Sequence, residues 1–310
     1  MKPYIIGKCN MQQFLEILNP HFLLRNALYA GLIVGLVCPQ VGLFFVLRRM
    51  VLLGIALPQI SNAGIAFAFL LHTLGLHFFY HTESDKAMAL TGSIVFTFIA
   101  IFVLAILERR QKEFTEYRIG FAYALAGAAS ILFVSWNPYG KAEVLSMLKG
   151  EIISIPDIYV WSMLAIYGAI FILLIGFHRN FILVSYDNDM AITIGKNVLL
   201  WDILLYLIIG IIISFGVMTV GPLVIFGFLL IPTIAARMVT RGILLLCVVS
   251  SSIGVIAALV GFYLSFRFDL PTGPTDVILL CIILVILYLG KLIFRLTKIE
   301  PNHSWFNLAD

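Results

Sequence analysis

The chain has 310 residues, 62% of them hydrophobic and 12% charged, with a formal net charge of +4 and a mean hydropathy of +1.06. Soluble domains run near ~45–50% apolar and ~25% charged, so no soluble core could hide this much apolar surface. The positive charge is no argument for nucleic acid, because membrane proteins accumulate Lys and Arg on their inner loops for insertion reasons alone.

The apolar residues fall into runs of roughly 20, enough at 1.5 Å per residue to cross a ~30 Å hydrocarbon layer. Backbone groups in lipid must be satisfied within their own segment, which makes each run a helix. Residues 1–21 read as a short interfacial segment. Lys2 and Lys8 precede Phe14, Leu15, Ile17 and Leu18, but Glu16, Asn19 and Pro20 break the run and leave no cleavable signal pattern. Spans follow near 24–46, 51–74, 87–107, 119–136, 158–177, 200–218, 221–236, 243–265 and 276–294. The sequence therefore predicts an all-α, polytopic membrane domain over residues 22–295, with about eight to nine transmembrane helices, and a cytoplasmic tail over 296–310. Two spans are weak: 221–236 is short, and 51–74 is interrupted by Pro58, Gln59, Ser61 and Asn62. Either is a full span or a broken, partly re-entrant element.

Loops after the odd-numbered spans carry Arg48, Arg49, Arg109, Arg110, Lys112, Arg118, Arg179, Lys196, Arg237, Arg241, Lys291, Arg295 and Lys298. That side is cytoplasmic by the positive-inside rule, which puts the C-terminus inside and, with nine spans, the N-terminus outside. Cys9, Cys38, Cys247 and Cys281 are scattered and form no CxxC, so neither a zinc knuckle nor a disulfide framework is indicated.

Ion-coupled carriers keep Asp, Glu or His in mid-membrane. Here Arg25, Asp202, Asp276 and Lys291 sit at span ends, where snorkelling removes most of the cost. A transporter without such a relay draws its energy from a separate motor, and an ion-coupled secondary carrier is the weaker alternative. No GxxxxGK[ST] occurs, so ATP hydrolysis falls to a partner. No HExxH, clustered Ser/His/Asp or paired carboxylates suggest an enzyme. In the outer loop His72, His77 and His81 accompany Glu83 and Asp85. They are either solvated loop residues or a staging point for metal, for which imidazole and carboxylate are suitable ligands.

Four stretches go beyond composition. They are Arg48-Arg49-Met50 with Gly54-Ile55-Ala56-Leu57-Pro58-Gln59 and Gly64-Ile65-Ala66; Tyr186-Asp187-Asn188-Asp189-Met190-Ala191 with Gly195; Val220-Gly221-Pro222 through Gly227 and Pro232 to Ala235-Ala236-Arg237; and Asp269-Leu270-Pro271-Thr272-Gly273-Pro274. Ordered and spaced as they are, they resemble the permease subunits of bacterial zinc, manganese and iron ABC importers. The resemblance covers roughly residues 22–295. It implies a paired-permease channel in the bacterial cytoplasmic membrane, with no cofactor of its own and a metal ion as substrate. Its implied partners are a cytoplasmic ATP-binding subunit, an extracytoplasmic metal-binding protein, a second permease copy or a paralogous permease, and membrane lipid. An iron chelate or another small solute is the alternative cargo.

Gly221 and Pro222 lie where the sixth span emerges, since Pro at a helix start loses no hydrogen bond, and the chain dives back through Pro232. This is a helical hairpin, with a gate lip as an added role. Ala235 to Arg241 reads as a short basic turn, either an ordinary positive-inside anchor or, by the resemblance, the element that couples to the ATPase through Ala236, Arg237, Thr240 and Arg241. The chain departs from the family in its second helix. The residue after the glycine is there typically Asp, with His four positions later; here they are Ile55 and Gln59. Ile55 cannot ligate, and Gln59 offers one neutral oxygen, tolerable to a hard cation and poor for zinc. Gln59, Ser61 and Asn62 are either a polar patch on the pathway or interhelical hydrogen-bond partners. Either a different permease supplies the missing ligands, or the cargo is handled with fewer of them.

Overall fold

The computed structural model describes residues 25–74, 85–110, 115–136 and 156–297, all helical or in turns. The interfacial segment 1–21, His77, His81, Glu83 and the tail beyond Thr297 lie outside them. Eleven helices are described: α1 (Arg25–Leu47), α2 (Val51–Thr73), α3 (Asp85–Arg110), α4 (Thr115–Trp136), α5 (Asp157–Gly176), α6 (His178–Tyr186), α7 (Asn188–Thr193), α8 (Val198–Val220), α9 (Pro222–Val239), α10 (Ile243–Phe268) and α11 (Thr272–Thr297). Nine of these are long and apolar enough to cross a membrane, within the expected count; α6 and α7 are the short exceptions.

Both weak segments are unbroken. α2 runs through Pro58 and α9 through Pro232, because a proline removes a single intrahelical bond that a packed membrane bundle tolerates. The junction between α8 and α9 is one residue. Gly221, at φ 89°, caps the end of α8 by donating its N–H to the Val217 carbonyl at 3.1 Å. Its own carbonyl then accepts from Ile225 at 3.2 Å, and Pro222 takes the first helical position. That φ is open to glycine at little steric cost. The predicted hairpin is therefore present.

The other motif stretches are also turns. Arg49 adopts φ 58° and Asp269 φ 52°, left-handed positions that end α1 and α10. Asp187 caps α7, its carboxylate accepting the Met190 N–H at 2.9 Å, and Asn197 caps α8 in the same way through Leu200 at 3.3 Å. In the 186–195 stretch Tyr186 ends α6, which is held inward by buried Phe181 and Val184, and residues 188–193 form α7.

Most of α1, α2, α8 and α9 is buried, whereas α4 and α11 are largely exposed, as lipid-facing helices are. Of these, α1 is anchored at both ends. At its outer end Arg25 pairs with Asp157 at 3.2 Å, and Asn26 donates to the same carboxylate at 2.7 Å. At its inner end Arg48 donates to Asp202 at 2.6 Å and to Ser185 at 3.1 Å, with its guanidinium over the Tyr206 ring. Between these anchors α1 crosses α10 at Gly35 and Gly254. A Cβ on Gly35 would stand 2.7 Å from the Gly254 carbonyl oxygen, and one on Gly254 would collide with that of Gly35. Pro39 cannot donate to Gly35, four residues earlier, so this freed carbonyl is the one the Gly254 Cα approaches, a weak Cα–H···O contact.

Candidate functional site

The helix that carries the family's ligand positions is continuous through Pro58. Ile55 and Gln59, at i and i+4 on an unbroken helix, share one face. Both are half-buried, and Gln59 turns toward α4, where a Cβ on Gly127 would stand 3.5 Å from its Nε2. The face carries no charge at these two positions.

Ser61 and Asn62 point elsewhere. Ser61 is fully buried, and its Oγ lies 2.6 Å from that of Ser93 on α3. Ser93 in turn donates to the Ser214 carbonyl of α8 at 2.9 Å. The single Ser93 proton is used there, so Ser61 donates to Ser93. For Ser61 the interhelical role is thus occupied: it ties α2 to α3 and α8. Asn62 Oδ1, Thr97 Oγ1 and Ser214 Oγ are buried with no hydrogen-bond partner among the described residues. The α2–α3–α8 contact itself is made by Ser61, Ser93 and the Ser214 carbonyl. Ser93, Thr97 and Ser214 were not singled out in the sequence, because a hydroxyl in an apolar run signals nothing until the neighbouring helix is known.

Asp276 departs from the span-end reading. It sits in the first turns of α11, yet it is 3% exposed and packs over Gly261 of α10. One of its oxygens has no partner among the described residues. It faces into the bundle instead of snorkelling outward, because Gly261 lacks the Cβ that would occupy the same space.

At the inner end, α9 continues to Val239, so Ala235 to Val239 of the helix-like basic turn are the last residues of the span. Ala236 is fully buried with Leu43, Leu246 and Cys247. Thr240 caps the helix, its N–H and hydroxyl both donating to the Ala236 carbonyl at 2.9 Å. Arg237 and Arg241 are exposed and are the parts of this segment that a partner can reach. Gly221 is buried, Pro222 half-buried and Pro232 buried, on the outer junction and midway along α9.

His72 is exposed at the outer end of α2; His77 and His81 lie outside the described residues. Among the described residues, no three His, Cys, Asp or Glu side chains come together as a metal-holding group. Outside the spans, His178 opens α6, and burial holds its imidazole below the ordinary value.

Residues 21–291 match the family model described as the ABC 3 transport family. The chain is 24% identical over 277 residues to the manganese import system permease protein ScaB of Streptococcus gordonii, covering 89% of this chain and 94% of that one. It is 24% identical over 278 residues to a probable iron transport system membrane protein of Haemophilus influenzae, covering 89% and 92%. Among solved structures, PsaBC from Streptococcus pneumoniae in complex with Fab superposes with a TM-score of 0.76 at 22% identity, over 93% of this chain and all of that one. At that identity the likeness speaks for the fold.

Proposed function

Because this chain belongs to the ABC 3 transport family, we propose that it is the membrane-spanning permease subunit of an ATP-driven importer. Its substrate in this reading is a divalent metal ion, manganese, zinc or iron, carried across the bacterial cytoplasmic membrane. The observation that carries the reading is the extent of the match, residues 21–291, which takes in nearly all of the nine candidate spans. Relatives named for manganese and for iron support the substrate class. The chain has no Walker sequence, so a cytoplasmic ATP-binding subunit supplies the hydrolysis and engages the inner end through Arg237 and Arg241. An extracytoplasmic metal-binding protein delivers the ion at the outer end.

The channel is completed by a second permease. With Ile55 and Gln59 where relatives offer a carboxylate and an imidazole, a paralogous permease is the better partner, since it brings the ligands this wall lacks. The same two residues favour one other reading, a chelated cargo, which needs no ligand exchange with the wall.

Affinity purification of the chain from its native membrane, together with uptake of manganese, zinc and iron measured by plasma mass spectrometry with and without it, tests the proposal. An ATPase in the eluate and loss of uptake of one metal are expected. An intact chain that transports without any ATPase would sink it. Ile55→Asp with Gln59→His separates the partner models: with a ligand-supplying paralogue, uptake changes less than about twofold. A large gain points to a channel built from this chain alone.

A further inference from the structure

A cavity of about 680 Å³ lies between α1, α5 and α10. Leu36 and Phe44 of α1, Phe171 and Leu174 of α5, and Val248 and Val255 of α10 form its walls. All six belong to candidate spans, so the cavity lies at hydrocarbon depth, and exposed Val248 marks its lipid side. Two of its polar residues are already engaged. Gln40 donates to the Cys247 carbonyl at 2.8 Å and to the Ser251 hydroxyl at 2.7 Å, and Ser251 donates to the Leu36 carbonyl at 2.7 Å. His178 differs. It lines the inner end of the cavity, where its Nε2 is buried with no hydrogen-bond partner among the described residues.

The lining residues of the inner end have basic neighbours in the chain. Exposed Arg179 follows His178, exposed Arg241 stands three residues before Leu244 of the wall, and no Asp or Glu lines the cavity. Apolar walls at hydrocarbon depth, ending in an unsatisfied imidazole with basic chain neighbours at the inner interface, match one ligand chemistry: an acyl chain joined to an anionic phosphate. We propose that this groove holds an anionic phospholipid of the inner leaflet, one acyl chain between α5 and α10 and a phosphate oxygen against His178. A second permease copy is the other candidate to cover it. The family's ligand positions, however, lie on α2, which packs chiefly on α3 and α4, whereas the groove belongs to α1, α5 and α10. A copy paired through the first flank leaves the second in lipid. Bound there, the lipid wedges α5 against the α1–α10 crossing, a role independent of which ion is carried.

The test uses the full-length chain purified in detergent, with mass spectrometry of the lipid retained after extensive washing. Melting is then followed with added phosphatidylglycerol, phosphatidylcholine or inorganic phosphate. The wild type is expected to retain phosphatidylglycerol stoichiometrically and to melt higher with it than with phosphatidylcholine. Val248→Trp, which narrows the groove, is expected to lose retained lipid by about fivefold or more. His178→Phe with Arg179→Gln is expected to keep a bound chain but lose the preference for the anionic headgroup. Equal shifts with both lipids, or the full shift with inorganic phosphate alone, would overturn the proposal. So would a photo-crosslinker at position 248 that captures a second copy of the chain instead of lipid. If Val248→Trp does not give a monodisperse protein, the headgroup preference of the double variant decides the matter.

Discussion

Two helix contacts on either side of the bundle are built in opposite ways. The α1–α10 seam is closed by backbone: Gly35 and Gly254 bring the main chains together, and Gln40 and Ser251 cross-link them. On the α2–α4 face the corresponding small residue, Gly127, meets only the tip of Gln59 at 3.5 Å. Small residues allow close packing in membranes, but only the first pair uses the permission. The seam is scaffold. At Gly127 the α2–α4 contact is made by a flexible side-chain tip instead of backbone, which suits the wall of a pathway that must rearrange around a substrate.

Single methyl groups break this comparison most sharply. Gly254→Ala forces the seam apart, and a loss of roughly 1–3 kcal/mol of stability is expected. Gly127→Ala makes only an ordinary van der Waals contact with the tip of Gln59, and a gain of up to about 1 kcal/mol is expected from helix propensity. Thermal unfolding of the two purified variants in the same detergent checks both signs. Gains or losses of like size would erase the distinction.

A smaller effect separates the two glutamines. Gln40→Leu removes the two interhelical hydrogen bonds to the Cys247 carbonyl and the Ser251 hydroxyl and costs roughly 1–2 kcal/mol. Gln59→Leu removes no hydrogen bond described here and shifts stability by less than about 0.5 kcal/mol. Melting temperatures of the pair would show it, and metal uptake should respond in the reverse order if Gln59 faces the substrate.

The mildest expected effect is a pH dependence beside the seam. Burial depresses the His178 pKa, so as pH falls the unfolded chain takes up this proton first. Stability from this residue is level above the ordinary imidazole value of about 6.5 and declines below it, until the folded ring is protonated as well. The melting temperature of the wild type should therefore fall as pH drops below about 6.5. His178→Phe should flatten that part of the curve, and Gly127→Ala should leave it unchanged.

The spans were legible because length and apolar composition alone define them, and Arg and Lys at alternate ends fixed their sense. What lay beyond reach was which side of each helix faces which neighbour. In water an amphipathic stripe reports that; in lipid the outside is as apolar as the inside, so the stripe disappears. Ser61 shows the consequence. Its sequence allowed a pathway residue or a helix tie, and only the position of Ser93 on α3 identifies the tie. Asp276 misled for the same reason: nearness to a helix end said nothing of Gly261 opposite it. For Ile55 and Gln59, a motif position four residues apart was enough to predict a shared face, because that follows from helical geometry alone.

The single-residue junction at Gly221 has a mechanical consequence. A longer linker would let α8 and α9 slide past one another like loosely tied rods. One residue leaves no slack, so a push on the inner end of α9, near Arg237, cannot be absorbed at the outer end. It must either drag α8, and with it the Ser214 carbonyl that holds Ser93, or swing α9 about Gly221 as a lever about its pin.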